Sequence, residues 1–134
     1  MLPAPIRNAD NAPYWDAARE EKLVLQRCRK CHTYRALPSY LCQACGHDES
    51  EWTEVDGAGQ VATFSIVHRA PTSEFREHVP YVVALIDLDV GARMMSNIVG
   101  DDAFATRIGD RVQVCFEARG GDGDRVPQFS RVRP

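Results

Sequence analysis

The second half of the chain is a succession of segments in which apolar and polar positions alternate. Residues 60–68 alternate apolar with small or polar side chains, which is the period of a half-buried β-strand. Val112, Val114 and Phe116 alternate in the same way later in the chain. The strands predicted on this basis are 60–68, 81–89, 92–99, 111–118 and 126–132.

The segments between these strands predict how they are connected. Residues 69–80 form a long loop, 89–91 a turn and 120–124 a glycine-rich flexible loop. Residues 101–107 predict a short helix with acidic residues at its positive end. Three strands, a short helix and two further strands fit a five-stranded OB-fold barrel, with a plain meander sheet as the alternative.

The first part of the chain predicts a helix and a small sheet. A helix is expected from Asp10 to about Lys22, because a capping side chain precedes Pro13 in the first turn. Tyr14 and Trp15 lie on one face of that helix and must bury against this chain or against a partner. Short strands are predicted at 23–27, 33–38 and 52–55, followed by a joint at 57–59. We therefore predict a mostly β protein with an N-terminal helical segment (1–22), a ribbon (23–56) and an OB-fold domain (57–134).

Two Cys-x-x-Cys pairs stand at the ends of the predicted ribbon strands. Cys28 and Cys31 are separated by ten residues from Cys42 and Cys45. Two such pairs on tight turns can direct four thiolates at one tetrahedral Zn²⁺, and Gly46 suits a backbone with positive φ after the last cysteine. The spacing predicts a closed structural zinc site with these four ligands.

Three other uses of these cysteines stay open. They could form two disulfides or a thioredoxin-like redox pair, although neither a secretory context nor a βαβ pattern supports these uses. Cys28, Cys31 and His32 also match the attachment pattern of c-type haem. The matched second pair accounts for Cys28 and Cys31 better, with His32 as a turn residue beside the metal.

Charge narrows the choice of partners. The net charge is −3, which argues against coating of nucleic acid by bulk charge. Basic residues crowd the approach to the first cysteine pair, and acidic residues follow the second pair. The basic residues near the ribbon could contact an anion or phosphate, although a solvated surface is the simpler explanation. The N-terminus lacks the apolar region of a signal peptide and no run of residues approaches a membrane span, so we expect a cytoplasmic protein without membrane contact.

The chain resembles a family of zinc-ribbon plus OB-fold proteins that accompany acyl-CoA enzymes. The motifs that carry the resemblance are Tyr14-Trp15, Leu25-Gln26-Arg27-Cys28, Trp52-x-x-Val55-x-Gly57-x-Gly59, Pro80-Tyr81-Val82-Val83-Ala84, Leu88-Asp89-Val90-Gly91, Ser96-Asn97-Ile98-Val99-Gly100 and Ile108-Gly109-Asp110-Arg111-Val112. The sequence departs from the family pattern at His32, where Gly is frequent, and at Ser39-Tyr40, where Pro-Arg is more usual.

The resemblance implies a non-catalytic accessory subunit in a hetero-oligomer with a thiolase-like catalytic subunit. Such a partner would be a thiolase or aldolase in degradation of a steroid or aromatic compound, although some relatives accompany hydratases. The accessory subunit would help to bind the CoA thioester or shape the substrate channel. We expect Tyr14 and Trp15 at the partner interface and Arg29, Lys30 or Arg35 near the CoA phosphates.

No convincing catalytic set is present in the sequence. The remaining cysteine, Cys115, alternates with the apolar residues of a predicted strand and is expected to be a small sheet residue. His68 and His78 flank the long loop, where ordinary structural roles are expected. Two further functions stay open: a module that binds single-stranded nucleic acid, and a lone acyl-CoA carrier or hydrolase.

Overall fold

The computed structural model describes residues 2–132, which form a helix, a small sheet and a closed barrel. Residue 1, in the first predicted segment, and residues 133–134, in the third, lie outside the described residues. The division of the chain into segments after residues 22 and 56 stays a prediction. The elements are α1 (Ala12–Arg19), β1 (Leu23–Cys28), β2 (Tyr34–Arg35), β3 (Ser50–Val55), β4 (Ala58–Val67), β5 (Tyr81–Leu88), β6 (Arg93–Val99), β7 (Arg111–Arg119) and β8 (Asp124–Arg131). The sheet is ordered β2-β1-β3.

The barrel confirms the predicted OB-fold over the meander sheet. Its strands close in the order β4-β5-β6-β8-β7, and β7 pairs with β4. All neighbours are antiparallel except β6 and β8, which are parallel. The helix predicted at 101–107 is a single 3-10 turn, Ala103–Ala105, between the third and fourth barrel strands.

Strand β4 contains a bulge and pairs with both β5 and β7, which closes the barrel. Its register against β5 shifts between Val61 and Thr63, which is a β-bulge. The strand before the bulge also pairs with β7. A side chain at Gly59 would place its Cβ 2.7 Å from the carbonyl oxygen of Asp87, so the close approach of β4 to β5 requires glycine there.

One apolar core serves both the barrel and the small sheet. Phe129, Ile86 and Val112 are fully buried at its centre. Leu23 and Leu25 of β1 belong to the same buried cluster, with Leu25 0% exposed. The ribbon therefore has its apolar residues in the barrel's core and not in a core of its own.

Helix α1 ends at Arg19, before the predicted limit near Lys22. The N–H of Lys22 donates to the carbonyl of Ala17 at 3.0 Å, and that of Glu21 donates to Ala18 at 2.9 Å. This is a Schellman ending, with Glu21 in the left-handed region at φ 60°. The helix packs on β1 and β8. Among the described residues, helices are too short and too polar to cross a bilayer.

Candidate functional site

Two similar turns present the four cysteines. The N–H of His32 donates to the carbonyl of Cys28 at 3.0 Å, and the N–H of Gly46 donates to the carbonyl of Cys42 at 2.8 Å. The residue after each second cysteine is left-handed, with φ 64° at His32 and 79° at Gly46. Each Cys-x-x-Cys pair thus closes through the same backbone turn, so both pairs point toward a common centre.

The four sulfur atoms lie close enough to share one metal ion. All four lie within 4.8 Å of one another, and the pairs Cys28–Cys45 and Cys31–Cys42 are each separated by 3.6 Å. Zinc–sulfur bonds of about 2.3 Å place the sulfurs of a tetrahedral site about 3.8 Å apart. The donor set and its spacing therefore fit a structural zinc ion. Four protein ligands would fill its coordination, which leaves no position for a substrate.

The protonation of the thiols also favours a cation at the centre. The Thr33 hydroxyl, 3.2 Å from Cys31 Sγ, and the Thr33 backbone lower the pKa of Cys31 to about 6. The backbone at His47 lowers the pKa of Cys45, but burial and the neighbouring thiols outweigh it and raise that pKa to about 11. The thiolate of Cys31 thus opposes ionisation of the Cys45 thiol, and a divalent cation between them would offset the repulsion of the two negative charges.

The geometry separates the zinc interpretation from its alternatives. The sulfur atoms of Cys28 and Cys45, and those of Cys31 and Cys42, are 3.6 Å apart, far from the roughly 2.05 Å of a disulfide, and all five cysteines are free. A thioredoxin-like or c-type haem site uses one pair alone, whereas Cys28 and Cys31 converge with the second pair. We therefore interpret the centre as a four-sulfur zinc site.

Arg29 and Lys30, two of the predicted CoA contacts, are exposed on the first turn. Arg29 lines a polar groove of about 540 Å³ together with Asp10, Asp48 and Glu49. Within residues 2–132, neither basic side chain has an ion pair within 4.0 Å. Three carboxylates beside Arg29 give this groove a formal charge of −2, which opposes an anionic ligand.

Arg35, the third predicted contact, is partly used to hold the ribbon. Its Nε donates to the side-chain oxygen of Gln26 and another guanidinium nitrogen donates to the carbonyl of Ser39, both at 2.8 Å. It also lines a small groove of about 250 Å³ with Arg93. The side chain thus has a structural role and one face toward a groove that no carboxylate lines.

Tyr14 and Trp15, the predicted partner contacts, lie edge to face with ring centres 4.8 Å apart. Tyr14 packs against the shared core, and burial raises the pKa of its phenol well above the ordinary range. Both rings line an apolar groove of about 660 Å³ between α1, the segment after β2, and the barrel. The structure thus brings the predicted pair to the rim of a groove and leaves Tyr14 largely covered by this chain.

Two exposed apolar residues of that groove were not predicted from the sequence. Leu37 is 82% exposed and Met95 is 68% exposed, and both line the apolar groove. Met95 follows the buried Met94 in β6 and therefore faces outward, where alternation predicts a polar side chain. An apolar residue in the outward phase of a strand was the available signal.

The structure keeps the remaining reactive side chains apart. Cys115 faces Gln128 across β7 and β8, and burial raises the pKa of its thiol. His68 and His78 are exposed at the two ends of the long loop. In the described part of the chain, no hydrogen bond joins Cys115 to a histidine. These residues do not form the nucleophile–base pair that a lone hydrolase would need.

The exposed aromatic side chains within residues 2–132 give little support to binding of single-stranded nucleic acid. The strongly exposed aromatic residues are Tyr40 and Phe104. Tyr40 lines the acidic groove beside Asp48 and Glu49, and Phe104 lies in the 3-10 turn of the barrel. Single-strand binding uses aromatics inside a basic groove, whereas Tyr40 lies in an acidic one.

Two known families match this chain, and the boundary between the two matched regions lies between Glu51 and Trp52, inside β3. Residues 15–51 match the family described as "ChsH2, rubredoxin-like zinc ribbon domain". Residues 52–117 match the family described as "ChsH2, C-terminal OB-fold domain". Both matches agree with the resemblance found in the sequence.

Individual relatives are of two lengths. The "Probable enoyl-CoA hydratase alpha subunit" of Thermomonospora curvata is 41% identical over 100 residues, which are 75% of this chain and 31% of that protein. A "DUF35 domain-containing scaffold protein" of Methanocaldococcus jannaschii is 36% identical over 103 residues, 76% of this chain and 72% of that protein. This chain therefore spans about a third of the hydratase subunit and most of the scaffold protein.

A solved structure titled "Ltp2-ChsH2(DUF35) aldolase" contains a similar chain. The two share 35% identity and superpose with a TM-score of 0.82, over 95% of this chain and 98% of the other. The similarity therefore extends through the ribbon and the barrel together.

Proposed function

The chain belongs to the DUF35 family of ChsH2-type zinc-ribbon and OB-fold proteins, and from this premise we propose that it is a non-catalytic accessory subunit of a thiolase-like acyl-CoA enzyme. The observation that carries the proposal is the similarity over 98% of a chain in a structure titled as an aldolase. The partner would be a thiolase or aldolase subunit, and the protein would act in the cytoplasm as part of a hetero-oligomer. A steroid or aromatic acyl-CoA thioester is the proposed substrate class.

The absence of a reactive set in the described residues supports a role in support of catalysis. Cys115 and the histidines lie apart, and the four remaining cysteines would be closed around zinc. Cys28, Cys31, Cys42 and Cys45 are the proposed zinc ligands. The ion would hold the two turns together, because four sulfur ligands leave it no open position for Lewis-acid chemistry.

Among the predicted CoA contacts, the surroundings favour Arg35. It lines a groove that no carboxylate lines, whereas Arg29 stands beside three carboxylates. A guanidinium can form charge-assisted hydrogen bonds with phosphate oxygens. Lys30 is exposed and is the remaining candidate for a phosphate contact.

The central test is co-expression with the thiolase-fold subunit encoded in the same genomic neighbourhood. The two chains are expected to co-purify in a fixed ratio, and the catalytic subunit is expected to lose activity or stability when purified alone. Full activity and stability of the catalytic subunit without this chain, together with no co-purification, would contradict the proposal. Thioesterase or aldolase activity of this chain by itself would contradict the non-catalytic role.

The CoA contact can be tested in the same complex. Arg35→Gln should raise KM for the acyl-CoA and leave KM for the same acyl group on pantetheine unchanged, because pantetheine has no phosphates. Arg69→Gln, an exposed cation in the long loop, is the matched control. An equal rise in KM for both substrates would mean that Arg35 acts through the fold and not through phosphate.

A further inference from the structure

The apolar groove joins three parts of the chain that are distant in sequence. Helix α1 contributes Tyr14 and Trp15, the segment after β2 contributes Leu37, and the barrel contributes Leu85 and Met95. Its volume of about 660 Å³ accommodates several apolar side chains. Leu37 and Met95 remain 82% and 68% exposed, so this surface is still open to water. Contiguous exposed apolar surface of this kind marks sites of interaction.

The polar groove around Arg29 adjoins the apolar groove. Both grooves are lined by Pro38, and the polar one adds Asp10, Asp48 and Glu49. With Arg29 as the one cation among its lining residues, its formal charge is −2. The combined surface therefore has an apolar part and an acidic end formed by Asp10, Asp48 and Glu49.

The basic residue in the apolar groove does not cancel this acidic end. The Arg93 guanidinium donates to both carboxylate oxygens of Asp87, at 2.6 and 3.1 Å. The pairing lowers the pKa of Asp87, which keeps the carboxylate charged beside Arg93. The apolar groove thus adds no net positive charge that would draw in an anion.

We propose that the two grooves together bind one segment of the catalytic subunit, which places apolar side chains against Leu37 and Met95 and a lysine or arginine in the acidic end. This inference rests on the proposed function and assigns the surface through which it operates. Charge complementarity selects the occupant: three carboxylates around one guanidinium favour a cation and oppose the phosphates of CoA. An apolar segment flanked by a basic residue satisfies both halves of the surface.

The first experiment weakens the apolar half. The double variant Leu37→Glu/Met95→Glu is compared with Ile108→Glu, which is also strongly exposed at 69% but lines neither groove. Affinity for the purified thiolase-fold subunit is measured by calorimetry, after zinc content and circular dichroism show intact folding. The double variant should bind at least about 10-fold more weakly, as expected for loss of central apolar contacts, and the control should change by less than about 2-fold.

The second experiment reverses the acidic end. Asp48→Lys/Glu49→Lys should slow association with the catalytic subunit and reduce its dependence on salt, because electrostatic attraction acts mainly on the association rate. Glu77→Lys/Asp101→Lys changes the same amount of charge at exposed positions outside both grooves and serves as the control. Unchanged association in the first variant, with tighter binding of CoA, would overturn the proposal in favour of an anion site.

The outcomes separate this inference from the function on which it rests. If the wild-type chain does not bind the catalytic subunit, both are overturned. If the wild-type chain binds and both groove variants bind equally well, the proposed function stands and the groove assignment is wrong. Light scattering of the chain alone provides the remaining arm: a dimer that Leu37→Glu/Met95→Glu converts to a monomer would make a second copy the occupant and overturn the proposal.

Discussion

The barrel and the ribbon share one buried core but are closed by different forces. The barrel closes on itself through strand pairing, with Phe129, Ile86 and Val112 inside. The ribbon contributes Leu23 and Leu25 to that core at one end, whereas its other end holds four sulfur atoms and few apolar contacts. Apolar burial thus stabilises the barrel, and we expect the far end of the ribbon to depend on a metal ion.

The largest expected effect is loss of the metal. Removal of zinc by a chelator, or the substitution Cys42→Ser, should unfold the two cysteine turns and leave the barrel folded. Structural zinc contributes an apparent free energy of about 10–16 kcal/mol in small zinc-binding peptides, which is more than the ribbon can replace. Amide exchange measured residue by residue would show lost protection at the turns and retained protection in β5 and β7.

Cys115→Ser is the matched control for this test, since Cys115 lies outside the sulfur cluster. It should retain one zinc per chain. Full zinc content in Cys42→Ser would contradict the assigned ligand set.

The next largest effect comes from the core. Phe129→Ala removes a side chain that is 0% exposed and should lower the free energy of unfolding by about 3–5 kcal/mol. Because Leu23 and Leu25 share this core, β1 should lose amide protection together with the barrel. Urea unfolding gives the stability, with the half-buried Phe116→Ala as a milder comparison. A β1 that stays protected while the barrel unfolds would contradict the shared core.

The joint between ribbon and barrel is the third test. Gly57 has φ 76°, and an added Cβ would lie 2.1 Å from Val114 Cγ1. Gly57→Ala should therefore cost about 1–2 kcal/mol for the left-handed backbone and about 1–3 kcal/mol more for overpacking. Thermal unfolding of the zinc-loaded protein measures the loss.

Gly91→Ala isolates the backbone contribution, because Gly91 has φ 101° and no heavy atom within 4 Å of an added Cβ. It should lose only the smaller amount. Adding Val114→Ala to Gly57→Ala should recover part of the overpacking cost, and no recovery would mean that the contact with Val114 does not matter.

The two cysteine turns permit a smaller test inside the ribbon. His32 and Gly46 occupy equivalent positions with φ of 64° and 79°, but only Gly46 is free of the left-handed penalty. His32→Gly should stabilise the zinc-loaded ribbon by roughly 1 kcal/mol, and Gly46→Ala should destabilise it by a similar amount. A competition assay for zinc measures both. Opposite signs, or no change in either variant, would contradict the equivalence of the turns.

The smallest effect is electrostatic and concerns the contact of α1 with the barrel. Hydrogen bonds from Arg19 and then Arg7 lower the pKa of Asp124 below its ordinary value. The stabilisation is therefore complete above the unfolded pKa and is lost as the pH falls through the lower folded pKa. Asp124→Asn should be less stable at neutral pH and should lose less stability on acidification below about pH 4.

Asp122→Asn is the control here, because Asp122 offers Arg19 its backbone carbonyl at 3.1 Å and not its carboxylate. Its stability curve from pH 7 to pH 2 should follow the wild type. An acid sensitivity of Asp124→Asn equal to that of the wild type would contradict the role of this ion pair.

The sequence predicts the elements that have strong local signals. The cysteine spacing, the alternation in β4 to β8 and the Gly57-x-Gly59 joint are local patterns with direct physical causes, and the OB-fold barrel is confirmed. The end of α1 was predicted too late because Glu21 adopts a left-handed conformation that is usually reserved for glycine. Propensity alone gives no indication of that choice.

The candidate surface was harder to predict, because it depends on contacts between distant segments. Leu37, Trp15 and Met95 meet only after α1, the ribbon and β6 have packed together. The same packing places Asp10 beside Arg29, so a cation predicted to contact CoA phosphate shares its groove with three carboxylates. Local patterns predict side chains and strands, whereas the charge of a groove depends on the tertiary fold.

The burial of Leu23 and Leu25 in the apolar core that they share with the barrel also determines how a bound protein would contact this subunit. Swinging the ribbon away would expose two leucines to water, at about 1.5–3 kcal/mol for each side chain. The ribbon therefore has a fixed orientation relative to the barrel. A protein that binds the cysteine end would therefore hold the barrel in one orientation. A change in that orientation would cost free energy, because it would disturb the buried core.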